Sequence, residues 1–150
     1  MPVSFIELQK ETPQIVPENG TLVFDRIVSS DGTSISYNTN TGVITFNAPA
    51  YYYIDWFVAP QFGLTTNGSN WAIQTSLVQR SIIGSSHTKV SVTSGFAIFY
   101  AAAGETARLV NVSDGALQLS EAVESKAGLI VYGVATQFAT MPGPVNPPSG

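Results

Sequence analysis

Gly42-Val-Ile-Thr-Phe-Asn-Ala-Pro-Ala-Tyr-Tyr-Tyr-Ile-Asp-Trp-Phe-Val-Ala59 is the stretch whose reading decides the fold. Two apolar runs are broken by Asn47, Ala48 and Pro49, which predicts two strands joined by a tight corner. From Tyr51 to Val58 nearly every residue is aromatic or β-branched, a composition suited to a pleated surface and poor for a helix. Strand side chains alternate, so Tyr52, Ile54, Trp56 and Val58 face one way and Tyr51, Tyr53, Asp55 and Phe57 the other. Both faces are largely apolar. A strand of that kind has to be covered twice, once by a second sheet and once by something else, and a partner subunit is the most direct second cover.

Composition points the same way. Of 150 residues 44% are hydrophobic and only 11% charged, so surface is expected to be hidden by association. A single domain is the natural count, and a chain of this size buries roughly 70% of its extended surface without a staple. The net charge is −4 and the six Lys and Arg are scattered, which argues against nucleic acid as a partner. There is no cysteine, which removes disulfides, thiolate metal sites and cysteine nucleophiles. The N-terminus lacks a basic start followed by an apolar core, and no apolar run is long enough for a membrane helix, so neither a signal peptide nor membrane insertion is expected.

Along the chain, strands are expected at Phe5 to Gln9, Thr21 to Val28 and Ile35 to Tyr37, then in the two central runs. Pro60 to Asn70 reads as a surface loop, followed by strands over Trp71 to Val78, Arg80 to Ile83 and within Lys89 to Ala102, where Gly95 marks a bulge or a close backbone approach. Ala103-Gly104-Glu105 turns the chain into Thr106 to Val112; Asp114-Gly115 opens a loop to Lys126; Ala127 to Ala135 closes the domain. Residues 140–150 hold four prolines and read as a flexible tail, leaving residues 1–139 as the domain. The expectation is an all-β sandwich of about ten strands in two antiparallel sheets. An immunoglobulin-like sandwich is the alternative.

The corner carries a resemblance. Phe46, Pro49 and Tyr52 resemble the B to C strand corner of the C1q and tumour necrosis factor (TNF) jelly-roll superfamily, with Ala50 where that family usually has glycine. Ala102 to Val110 looks like the family's Gly-Asp or Gly-Glu hairpin, and Ala127 to Ala135 is similar to its final strand. The pattern is closest to the C-terminal heads of bacterial collagen-like exosporium glycoproteins of the BclA type. The resemblance implies a C1q/TNF-like jelly roll, a homotrimer, and an extracellular or spore-surface (exosporium) setting. Tyr52 takes the place of the family's core tyrosine, so Tyr51, Tyr53, Asp55 and Phe57 are the expected trimer interface. No Gly-X-Y tract occurs in these 150 residues.

Candidates for chemistry are few. His87 is the one histidine, beside Ser85 and Ser86 but outside any nucleophile-elbow pattern, and one histidine cannot build a cupin-type metal site. The carboxylates Asp25, Asp31, Asp55, Asp114, Glu105, Glu121 and Glu124 show no pairing for acid–base work. Asp55, on an aromatic face, calls for Arg26, Arg80 or Arg108 as a partner, or for a place near the rim. Some C1q-like trimers hold calcium among apical loops, where Asp31 and Asp114 would be the acidic residues, yet no Asp-x-Asp-x-Asp run is present; no cofactor is expected. Asn19, Asn67 and Asn111 fit the N-glycosylation acceptor pattern at a frequency that chance explains. Trp71 and Phe62, near a loop, are the candidates for stacking on a sugar. The function expected is a non-enzymatic structural or adhesive head domain. The alternative is a recognition module for glycans or host surface proteins, using the loops at Pro60 to Asn70 and Gly115 to Lys126.

Overall fold

The computed structural model describes residues 4–65, 68–76, 82–86 and 91–135. The strands in chain order are Phe5–Lys10 (β1), Ile15–Val16 (β2), Arg26–Asp31 (β3), Ile35–Tyr37 (β4), Ile44–Phe46 (β5), Ala50–Val58 (β6), Pro60–Gly63 (β7), Ser69–Thr75 (β8), Ile82–Ser86 (β9), Thr93–Ala101 (β10), Thr106–Asn111 (β11), Leu117–Leu119 (β12) and Ala127–Ala135 (β13). One five-stranded sheet runs β10-β6-β13-β1-β3, and a second runs β4-β5-β11-β8-β9. A separate three-stranded sheet runs β2-β12-β7. Every strand pair is antiparallel.

Thirteen strands in three sheets correct the expectation of about ten in two. The additions come from stretches read as loops. Gly63 and Val16 flank Leu117 across the small sheet, and Val16, Leu117 and Leu119 are fully buried in the common core. Pro60 and Gly63 look like breakers in sequence, but the short pairing of β7 at the edge of the small sheet tolerates them.

Thr21 to Val28 is also corrected, since the strand begins at Arg26 and continues to Asp31. Leu22 and Phe24 are buried as their alternation suggests, yet their backbone is satisfied piecemeal. Leu22 donates its N–H to the Leu109 carbonyl, the Gln14 side chain bridges Thr21 O and Val23 N, and the Phe24 N–H donates to the Tyr37 hydroxyl at 2.7 Å. Alternation reports burial, and pairing is a separate matter. Burial pushes the Tyr37 phenol up to about 12, against the Phe24 N–H bond, which favours the ionised form.

The central corner crosses between layers, from β5 in the second sheet to β6 in the first. Phe46 and Tyr52 stack across it with centroids 4.4 Å apart, and the Tyr52 hydroxyl donates to the Ala48 carbonyl. Ala50 is buried at the start of β6. Ala102 to Val110 is likewise a crossover, because β10 and β11 lie in different sheets, and Gly104 makes the turn at φ 92°.

Tyr52, Ile54, Trp56 and Val58 are buried between the sheets, as parity requires. Gly95 lies opposite Trp56 on β10, and a Cβ there would stand 2.3 Å from the indole carbons. Close approach, with the ladder uninterrupted, is therefore the reason for this glycine. The Trp56 and Trp71 indole N–H groups are buried with no hydrogen-bond partner among the described residues, each costing about 1–3 kcal/mol that the apolar packing offsets.

Candidate functional site

The outward side of the first sheet is set by register. Reading across β10, β6, β13, β1 and β3, one row is Ser94, Phe57, Gly128, Gln9 and Arg26. The next is Phe96, Asp55, Ile130, Glu7 and Ser29, and the third is Ile98, Tyr53, Tyr132, Phe5 and Asp31. Tyr100 and Tyr51 follow as a cross-strand pair, with ring centroids 5.5 Å apart. Phe96 is 71% exposed and Ile98 60%, so the β10 edge is a bare apolar ridge. Phe57, at 36%, lies over Gly128, where a Cβ would approach its ring to 2.5 Å. Phe57, Asp55, Ile130 and Glu7 border a depression of about 260 Å³.

The outward side of the second sheet uses the same register rules with different residues. Ser36, Thr45 and Thr106 form one row, Arg108 faces Gln74, and Asn70 faces Ser85. The Arg108 guanidinium donates to Thr21 Oγ1 and Gln74 Oε1, and the Ser85 hydroxyl donates to Asn70 Oδ1. This face is built for water. The first is not.

Three solved structures share the architecture. Murine APRIL at pH 5.0 aligns at TM-score 0.66 with 11% identity, covering 89% of this chain and all of its own. The Eiger TNF of S. frugiperda aligns at 0.63 with 10% identity, over 100% of this chain and 99% of its own. The globular domain of zebrafish complement 1qA aligns at 0.62 with 12% identity, over 87% and 95%. The fold is the C1q/TNF-like jelly roll. The immunoglobulin-like alternative falls with it. No protein-family model matches the sequence, and no curated protein matches it.

On this jelly roll Tyr51, Tyr53, Asp55 and Phe57 all lie on the outward side of β6. Asp55 is exposed and accepts a 3.3 Å hydrogen bond from the Tyr53 hydroxyl. The arginine partner expected for it is absent among the described residues: Arg26 pairs with Glu11 at 3.0 Å, Arg108 serves the other sheet, and Arg80 lies outside the described residues. Desolvation, followed by the adjacent Asp55 carboxylate, pushes the Tyr53 phenol above its usual value.

Trp71 is corrected as a ligand platform. It is 0% exposed, because β8 is a central strand and its indole points into the core. Phe62 lies on β7, with its side chain outside the described part of the structure. Asn111, whose acceptor pattern was attributed to chance, is fully buried with its amide donating to the Val16 and Gly115 carbonyls. Asn19 is exposed in a turn at φ 63°. His87, Asn67 and residues 140–150 lie outside the described residues. Asp31 accepts the Gly32 N–H, and among the described residues no three His, Cys, Asp or Glu side chains group as a metal requires. Among the same residues no helix is long and apolar enough to cross a membrane.

Phe96, Ile98, Ile130, Tyr132 and Glu7 complete the outward face, and sequence reasoning missed them. Their signal was the period-two alternation of β10, β13 and β1, usable only once the neighbours of β6 are known.

Proposed function

We propose that this chain is a non-enzymatic homotrimeric head module, structural or adhesive, displayed at a bacterial spore or cell surface. One observation carries the trimer: the outward side of the β10-β6-β13-β1-β3 sheet exposes large aromatic and aliphatic side chains, while among the described residues the equivalent side of the other sheet exposes none. A contiguous face of this kind marks an association surface. A threefold ring needs two different patches that meet head to tail. The Phe96 and Ile98 ridge on the β10 edge suits one patch, and the Ile130, Tyr132 and Phe5 half of the face suits the other. The likeness to C1q- and TNF-type folds supports this reading, and the surface setting rests on the resemblance of the corner to exosporium head domains. The alternative of glycan or host-protein recognition loses its main aromatic support with Trp71 enclosed.

Light scattering tests the reading. The expected mass is three times the 15.9 kDa of the chain. Phe57→Glu and Phe96→Glu are each expected to yield folded monomer, costing about 2 kcal/mol or more per contact through lost burial and a stranded charge. A monomeric wild-type protein at high concentration, or a mass unmoved by both variants, would overturn it.

A further inference from the structure

Two carboxylates stand on the apolar face. In the row Phe96, Asp55, Ile130, Glu7 and Ser29, Asp55 and Glu7 flank Ile130, two strands apart and so roughly 10 Å from each other. Around Asp55 the facing groups are Phe96 and Ile98 on β10, Ile130 and Tyr132 on β13, and Tyr53 and Phe57 on its own strand. Around Glu7 they are Ile130 and Tyr132 on β13, Ser29, Asp31 and Arg26 on β3, and Phe5 and Gln9 beside it. Arg26 is the only cation in that list, and it is engaged by Glu11. The other described cations are placed elsewhere: Arg108 on the opposite sheet, Lys10 and Lys126 buried.

We propose that self-association of this chain is proton-linked through Asp55 and Glu7, so that the assembly tightens as the pH falls. The inference rests on the trimer reading above. Packing a second copy's apolar surface over this row removes water from both carboxylates and supplies no described cation in exchange. Desolvation disfavours the charged form, so each group holds its proton more tightly in the assembly than in the free subunit. The sign follows by linkage. At a pH below the free subunit's carboxylate range both states are protonated and association is at its strongest; as the pH rises through the carboxylate range of the assembly, ionisation opposes burial and association weakens. Tyr53 moderates the effect at Asp55 by donating one hydrogen bond, and Glu7 has no such donor among its described bonds.

The test is sedimentation equilibrium of the full chain from about pH 4.5 to about pH 7.5, in enough salt to screen general repulsion between acidic subunits. Wild-type association is expected to be at least about tenfold weaker at the upper end than at the lower. Asp55→Asn with Glu7→Gln should flatten that dependence and keep association tight at neutral pH, whereas Glu18→Gln, in a turn away from this face, should leave the wild-type slope. A flat wild-type profile, a double variant with the wild-type slope, or association that strengthens with rising pH would each overturn the proposal while leaving the trimer in place. The last outcome would mean that a neighbour's cation pairs with the carboxylates. A monomer at every pH would sink the trimer reading itself, and the proton linkage with it.

Discussion

The two five-stranded sheets differ in what they do with their outer faces. Inward, both contribute to one dry core: Tyr52, Ile54, Trp56 and Leu129 from one side, Ile44, Phe46, Trp71 and Leu109 from the other. Outward, the β4-β5-β11-β8-β9 sheet presents Ser36, Thr45, Thr106, Arg108 and Gln74, while the β10-β6-β13-β1-β3 sheet presents Phe96, Ile98, Tyr53, Phe57 and Tyr132. Folding alone needs only the inner faces. An outer face as apolar as this one adds nothing to the isolated subunit and raises the risk of nonspecific association, which is the ground for the proposed second act of burial.

Substitutions can sharpen or break this contrast. The largest effect is expected inside. Trp56→Ala should destabilise the subunit by roughly 3–5 kcal/mol through a core cavity, read as a fall in the denaturation midpoint that is the same at all protein concentrations. Its neighbour Phe57, one residue along and facing outward, should behave in the opposite manner, with Phe57→Glu acting on the oligomer and sparing the fold. A concentration-dependent loss for Trp56→Ala would break the assignment of faces. A smaller effect is expected at Gly95, where alanine would press a methyl into the Trp56 ring; overpacking of this kind should cost about 1–3 kcal/mol in chemical denaturation. A neutral Gly95→Ala would show that the indole can move aside. The smallest effect is expected on the wet sheet. Thr45→Lys should change stability by no more than about 0.5 kcal/mol and leave the light-scattering mass unaltered. Dissociation on that substitution would place the interface on the wrong sheet.

Much of this was legible in the sequence, and the misses share a cause. The period-two pattern of Tyr51 to Val58 correctly separated core from outward residues because strand geometry leaves no other choice once one side chain is placed. A different inference failed at Trp71, where nearness to a polar loop suggested a stacking platform, yet the residue sits on a strand with partners on both edges, β11 and β9. The chance acceptor pattern at Asn111 likewise says nothing of the two carbonyls its amide serves. Burial of a polar side chain depends on what lies across the fold, and the Val16 carbonyl is 95 positions away in the chain.

The sequence by itself determined that the chain is all-β, where most strands fall, and which side of β6 enters the core. Only the tertiary structure decided which strands flank β6, and so which side chains share its outer face. Local alternation fixes the direction of each side chain along its own strand, whereas the identity of its neighbours depends on pairings between residues far apart in the chain. Asp55 and Glu7 are separated by 48 positions in sequence, yet the pairing of β6 with β13 and of β13 with β1 sets them in one row on either side of Ile130.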